Sequence, residues 1–329
     1  PDHMFISEWT LDQGWQDPRV VPYGPFSIDP GTSVLHYGQE IFEGLKAYSH
    51  EDGSIWLFRP EANGARLQRS AKRLALPELP VDWFLRAVKS LVDVDRGWVP
   101  TGGESSLYLR PFMFASESFL GVRASQHVTF CVIASPAGAY FSGGVKPVDI
   151  WLSTEFSRAG AGGTGAAKCG GNYAASLLPQ QEAAANGCAQ VAFLDSVEHR
   201  WIEELGGMNL FFVMSDGSIV TPELSGSILE GITRDSILTL ARELGHEVVE
   251  RRISINEWRE GAESGEISEV FACGTAAVVT PVGRLKWHGG EVAIGAEVTG
   301  PITLKLRQAL VDVQYGRATD THGWMTQVV

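Results

Sequence analysis

Apolar and polar residues recur along the chain in two periods, and these periods place its elements. Val128-Thr-Phe-Cys-Val-Ile-Ala134 is a short apolar run of the kind a buried strand shows. Ser54–Phe58 and Ser106–Phe112 also read as strands. In the second of these, Tyr108 and Arg110 face the same side, because side chains alternate along a strand. Arg59–Leu74 is amphipathic at helical spacing and is ended by the region of Pro77. Helices are expected at about Asn172–Ala185 and Thr233–Leu244. They end at Asn186-Gly187 and at Gly245, residues that suit a helix C-terminus. Further strands are expected at Gln190–Asp195, Met208–Met214 and Glu269–Ala272.

Ser135–Pro147 is rich in Gly and Pro and reads as a linker. It divides the chain into a small N-terminal domain (1–136), an interdomain loop (137–147) and a large C-terminal domain (148–329). Strands and helices mix in both halves, so the expected class is α/β (α+β) with two domains. A length of 329 residues points the same way, being long for a single core.

Composition narrows the partners. The net charge of −13 argues against nucleic acid and anionic membranes, which need a basic surface. No apolar run is long enough for a membrane helix, and there is no signal peptide. The chain opens at Pro1 rather than Met, so some native N-terminus is expected to be missing. The four cysteines, Cys131, Cys169, Cys188 and Cys273, are widely spaced. They form no Cys-x-x-Cys pair and no zinc spacing with histidine, so no metal is expected. A reduced, cytoplasmic protein is the simple expectation.

Lys168 is the most informative residue. It lies between Gly160-Ala-Gly-Gly-Thr-Gly-Ala-Ala167 and Cys169-Gly-Gly-Asn-Tyr173, with no neighbouring carboxylate. Small flanking residues let a carbonyl group approach the amine closely, as Schiff-base chemistry requires. Tyr173 opens an Ala-rich helix and can aim its phenol at the same place. A loop lysine on a Gly-rich surface turn fits the local composition too. Gly160-Ala-Gly162-Gly-Thr-Gly165 has the spacing of a dinucleotide fingerprint, but no strand precedes it directly and the helix starts too late. It is not a phosphate loop of the nucleotide kind either, because Ala167 precedes the lysine.

Two Gly-rich turns are candidate anion sites. Gly226-Ser-Ile-Leu-Glu-Gly231 leads into a helix whose first N–H groups, at Ile232 and Thr233, lack partners within the helix. Phe271-Ala-Cys-Gly-Thr275-Ala276-Ala277 is the other, at a strand end. A plain N-cap and a plain strand-end turn are the alternatives. Glu203-Glu204 before Gly206-Gly207 offers a carboxylate for a ring nitrogen, or a solvated turn. Tyr108 and Arg110 suit a carboxylate ligand, or a surface ion pair. Local composition does not separate Arg66 from Arg69 on the first helix. The aromatic stretch His36–Lys46 suits a pocket wall or a core.

Taken in order, these stretches resemble the branched-chain aminotransferases, pyridoxal-phosphate enzymes of fold type IV. The matching motifs are His36-Tyr-Gly-Gln-Glu-Ile-Phe-Glu-Gly-Leu-Lys46, Tyr108-Leu-Arg-Pro111, Lys168-Cys-Gly-Gly-Asn-Tyr173, Glu204-Leu-Gly-Gly-Met-Asn209, Gly231-Ile-Thr-Arg234 and Gly274-Thr-Ala276. The resemblance runs from about Trp15 to Met325. It implies that Lys168 carries pyridoxal 5'-phosphate as a Schiff base and then acts as general base. Glu204 would keep the pyridine nitrogen protonated, and Tyr173 would bond the ring phenolate. Arg66, the N–H groups of Ile232 and Thr233, and the Thr275 hydroxyl would hold the phosphate.

On the substrate side, the N–H groups of Thr275 and Ala276 would bind the α-carboxylate. Tyr37, Phe42, Tyr108 and Tyr140 would supply apolar walls, and Arg110 would receive the distal carboxylate of glutamate. Leu120 and Val122 match a loop that closes the site of a second subunit, which implies a homodimer. The implied reaction moves the amino group of L-leucine, L-isoleucine or L-valine to 2-oxoglutarate by a ping-pong mechanism. A D-amino-acid aminotransferase or an aminodeoxychorismate lyase of the same fold type is the alternative. A nucleotide-dependent dehydrogenase and a non-catalytic phosphate-ligand binder are the more distant ones. Some members carry a redox Cys-x-x-Cys after the Gly-Thr-Ala turn; here those positions are Ala277 and Thr280. Gly207 stands where some members have threonine.

Overall fold

A computed structural model describes residues 1–138, 145–295 and 298–329. Contacts divide the chain into two compact units. Unit 1 comprises Pro1–Tyr140, Ala167–Gly171 and Asp312–Val329, and unit 2 comprises Phe141–Ala166 and Asn172–Val311. The bounds are therefore not the linear ones expected at 137–147. Ala167–Gly171 and the C-terminal segment fold with the N-terminal residues, because their backbone bonds lie there. Most of the expected loop, residues 139–144, lies outside the described residues.

Unit 1 is built on a sheet of eight strands. From one edge it runs Met325–Gln327, Ile55–Phe58, Leu45–Ser49, Ser106–Ala115, His127–Ala137, His3–Thr10 and Gly14–Pro22, with Glu40–Phe42 also paired to Ser106–Ala115. Leu107, Leu109 and Met113 point into the core beneath Pro60–Arg73 and Val81–Val94, the two helices that bury Leu67, Phe84 and Leu91. Sealing one such side chain from water contributes about 1.5–3 kcal/mol. Tyr108, Arg110 and Phe112 take the opposite, half-buried face, as alternation requires.

Pro111 shapes this sheet locally. It sits mid-strand and brings no N–H to the ladder. Glu40–Phe42 pairs with residues on one side of it and Leu45–Ser49 with residues on the other. Glu43 and Gly44 fall in the gap, and the Glu43 N–H bonds the Pro111 carbonyl instead (2.7 Å).

Unit 2 holds a nine-stranded sheet. Ile150 and Leu152 of the strand Val148–Leu152, Leu210 and Phe212 of Asn209–Met214, Val270 and Ala272 of Ile267–Gly274, and Leu285 of Val278–Trp287 contribute to a core closed by Trp258 of the helix Ile255–Ser264. Expected elements recur with small shifts: helix Ile232–Glu243, and strands Gln190–Leu194, Asn209–Met214 and Ile267–Gly274. The helix expected over 172–185 is a correction. It is two helices, Gly170–Ala174 and Leu177–Ala185. Pro179 cannot donate to the carbonyl four residues back and its ring clashes there, so a continuous helix is broken. The linker expectation is also trimmed, because Ser135, Pro136 and Ala137 still pair with Tyr108, Leu107 and Ser106.

Candidate active site

In unit 1 the Lys168 segment is tied to the sheet and the first helix. The Phe42 N–H donates to the Lys168 carbonyl (2.9 Å) and the Lys168 N–H donates to Ser70 Oγ (2.9 Å). Two residues on, the Gly170 N–H donates to the carboxylate of Glu40. These bonds hold the lysine so that its Nζ lies 4.7 Å from the centre of the Phe42 ring. Burial first, and then the positive charge of Arg66, push the amine down from 10.5 to about 8. Glu43 and Tyr108 oppose that shift, and Arg110 adds to it.

The sign gives a test. An amine whose pKa is depressed is neutral, and nucleophilic, above the lowered value. In protein freed of cofactor, acylation of Lys168 followed against pH is expected to have its midpoint near about 8. A midpoint at the ordinary 10.5 would show that the amine is solvated.

Arg66 and Arg69 are separated by the helix itself. Asn63, Arg66 and Ser70 share a buried face of Pro60–Arg73, whereas Arg69 is exposed. Arg66 donates twice to Glu43, through Nε (2.8 Å) and Nη2 (2.8 Å), and Asn63 Nδ2 donates to the same carboxylate (2.7 Å). Glu43 is fully buried. Sequence reading missed Glu43, Asn63 and Ser70. The polar spacing of 63, 66 and 70 on an otherwise apolar helix face was the available signal.

Tyr108 and Arg110 share the sheet face expected of them. Arg110 Nη2 donates to the Tyr108 hydroxyl (3.1 Å), and its guanidinium lies 4.7 Å from the Phe42 ring centre. Gly44 makes room for the phenol, because a Cβ there would collide with Tyr108 Oη. Gly44→Ala is expected to displace Tyr108 and to destabilise the fold by about 1–3 kcal/mol, the cost of overpacking. Chemical denaturation measures this, and an unchanged midpoint would mean that the phenol moves freely. Tyr37 lies on the short helix Val34–Tyr37, and its hydroxyl donates to the Leu120 carbonyl. Leu120 and Val122 are among the most exposed apolar residues, at 67% and 86%. Tyr140 lies outside the described residues.

Unit 2 gathers the other candidates. Glu204 accepts from Arg158 Nη2, from the Leu229 N–H (2.8 Å) and from Asn209 Nδ2 (3.4 Å). Arg158 also donates to the Gly165 carbonyl (2.9 Å). How two adjacent glutamates become buried follows from a bulge. Ile202 pairs with Leu194 and Leu205 with Ala192, so Glu203 and Glu204 occupy the place of one residue. Ser227 Oγ donates to Glu203, and burial raises the Glu203 carboxyl above its ordinary value. Arg158 was not foreseen from the sequence.

Gly231 caps the helix Ile232–Glu243 and Thr233 is buried in its first turn. A Cβ at Gly231 would collide with Asn209 Oδ1, so the loop carrying that helix start packs directly on a residue that bonds Glu204. Tyr173 sits in the helix Gly170–Ala174 with its ring near Gly207, where a Cβ would lie 3.9 Å from Cε1. Thr275, Ala276 and Ala277 form the turn after the last pair, Gly274 with Val278. Val278 closes that turn at φ 61°, a conformation a β-branched residue rarely adopts. Gly160–Gly165 forms turns, not a strand-to-helix junction, which removes the dinucleotide reading. Among the described residues no cluster of His, Cys, Asp and Glu could hold a metal.

Residues 40–285 match the family described as amino-transferase class IV. The chain is 59% identical to the branched-chain-amino-acid aminotransferase of Mycolicibacterium smegmatis, over 99% of this chain and 90% of that protein. Its fold is similar to the crystal structure of Escherichia coli branched-chain amino acid aminotransferase, with a TM-score of 0.84, 32% identity and coverage of 100% and 99%. The branched-chain amino acid aminotransferase from Thermobaculum terrenum, solved in its PLP-form, gives a TM-score of 0.78 at 26% identity, covering 100% of this chain and 99% of that one. Matched by the family over most of its length and by a full-length relative at this identity, the chain belongs to the class-IV aminotransferases, among the branched-chain-amino-acid aminotransferases.

Proposed function

We propose that the protein transfers the amino group of L-leucine, L-isoleucine or L-valine to 2-oxoglutarate, with pyridoxal 5'-phosphate as cofactor. The observation that carries the reading is the Lys168 amine, fixed by backbone bonds and lowered to about 8 beside Phe42, Tyr108 and Arg110. The donor set fits the cofactor. Lys168 is an amine ready to join an aldehyde, Glu204 is a buried carboxylate for the ring nitrogen, and the helix start at Ile232 and Thr233 suits a phosphate. Arg66, Tyr173 and Thr275 complete the residues that would hold it. When bound, the cofactor supplies an electron sink for the carbanion at the substrate Cα.

The remaining work belongs to the chain. Lys168 takes the proton from the substrate Cα. Arg158 holds Glu204 in place through a buried ion pair. Thr275 and Ala276 offer backbone donors to the α-carboxylate. Phe42, Tyr37 and Tyr108 face the aliphatic side chain, and Arg110 receives the distal carboxylate of glutamate. The exposed Leu120 and Val122 support a homodimer in which this loop reaches the partner's site.

No helix of the described residues is long and apolar enough to cross a membrane. The four cysteines are buried and unpaired, which suits a cytoplasmic location. Turnover of L-leucine with 2-oxoglutarate, compared with D-alanine, tests the reading. Formation of L-glutamate from L-leucine supports it, and a preference for D-alanine moves the protein to the D-amino-acid enzymes.

A further inference from the structure

Arg110 is a cation with unused hydrogen-bonding capacity. Its Nη2 bonds Tyr108, but its buried Nε has no hydrogen-bond partner among the described residues. Two aromatic rings of the face lie against its guanidinium, Phe42 at 4.7 Å and Tyr108 at 5.4 Å. A guanidinium placed against rings and short of acceptors is poised for an incoming carboxylate.

The acidic residue on the same face is Glu40. It stands two residues before Phe42 on the strand Glu40–Phe42, whose partners Phe114 and Phe112 continue the alternation of Arg110. The Gly170 N–H holds its carboxylate in place, and a Cβ at position 170 would collide with Glu40 Oε1. Glu40 and Arg110 sense each other's charge, but Glu40 spends a hydrogen bond on the Lys168 segment, and Arg110 Nε has no acceptor among the described residues.

We propose that Glu40 is the specificity-determining counter-charge of Arg110, weakening the hold of Arg110 on the distal carboxylate of a five-carbon dicarboxylate and leaving neutral aliphatic side chains unaffected. The inference rests on the aminotransferase reading above. A ping-pong enzyme must admit both side chains to one place. An arginine with no opposing charge would favour the dicarboxylate, and the aliphatic substrate would lose the competition. A fixed carboxylate nearby penalises only the charged competitor, so it sets the ratio of the two affinities. Two carboxylates brought near each other in a half-buried site change affinity by about tenfold.

Glu40→Gln removes the charge and keeps an oxygen for the Gly170 N–H. The holoenzyme is titrated with glutarate, which binds without reacting, at low salt. The variant is expected to bind glutarate about tenfold more tightly. In turnover, the KM for 2-oxoglutarate is expected to fall by a similar factor. The ratio of kcat/KM for 2-oxoglutarate to that for the oxo acid of leucine rises accordingly. Glu40→Asp keeps the charge and is expected to show no tightening. Equal or weaker glutarate binding by Glu40→Gln overturns the proposal, as does the same change in both variants, which would mark a merely structural role. Failure of the unaltered enzyme to use L-leucine would instead overturn the functional reading, and the glutarate titration still reports on Glu40.

Discussion

Lys168→Ala is expected to lower the rate of transamination of L-leucine by about a thousandfold or more. The amine has two uses in this account, attachment of the cofactor and removal of the Cα proton, and alanine supplies neither. The surrounding backbone is expected to persist. The bonds from Phe42 and to Ser70 are made by the Lys168 main chain, and the Gly170 bond to Glu40 does not involve its side chain. Replacing a partly desolvated amine by a methyl group also removes a burial cost, so stability should not fall. Initial rates and a denaturation curve on the same preparation separate the two effects. A variant within tenfold of the parent rate would remove Lys168 from the chemistry.

The largest expected effect on stability is at Glu43. Its carboxylate is fully buried and takes two bonds from Arg66 and one from Asn63. Removing one partner of a buried pair strands the other charge, and Glu43→Ala is expected to cost about 3–5 kcal/mol. A second readout follows from charge. Glu43 raises the pKa of Lys168, so its loss should move the acylation midpoint below the parent value of about 8. Where the alanine variant does not fold, Glu43→Gln keeps hydrogen-bonding capacity and tests the charge alone. Unfolding in urea at unchanged midpoint would mean that Arg66 finds full compensation elsewhere.

These two residues illustrate what the sequence discloses. Lys168 stands out because a lysine among small residues is chemically odd, and that oddity is local. Tyr108 and Arg110 are legible because strand alternation puts them on one face. The helix start at Ile232 and Thr233 is legible from Gly231 and the hydrophobic period that follows. Glu43 is not, because an acid before a glycine reads as a solvated turn. The pairs on either side of Pro111 keep one register, so alternation puts Glu43 on the buried face with Ile41 and Leu45, where it meets Arg66.

Arg158 is hidden by distance along the chain. Nothing near it names Glu204, 46 residues on, as its partner. The bulge at Glu203-Glu204 is hidden as well, since two acidic residues in a row give no sign that both are buried. The division into units escapes the sequence for a related reason. A linker is visible as composition, but the folding of Ala167–Gly171 with the N-terminal residues depends on bonds to Phe42 and Ser70 that composition does not encode.

The central claim is that Lys168 binds the cofactor and that L-leucine donates its amino group to it. The visible absorption spectrum of the purified protein, before and after L-leucine in the absence of any oxo acid, tests it most directly. A yellow protein whose visible band is lost as L-leucine is added, with the oxo acid of leucine released, is the result expected. A yellow protein unchanged by L-leucine would contradict the branched-chain assignment. A protein that stays colourless after incubation with pyridoxal 5'-phosphate would contradict the account of Lys168 itself.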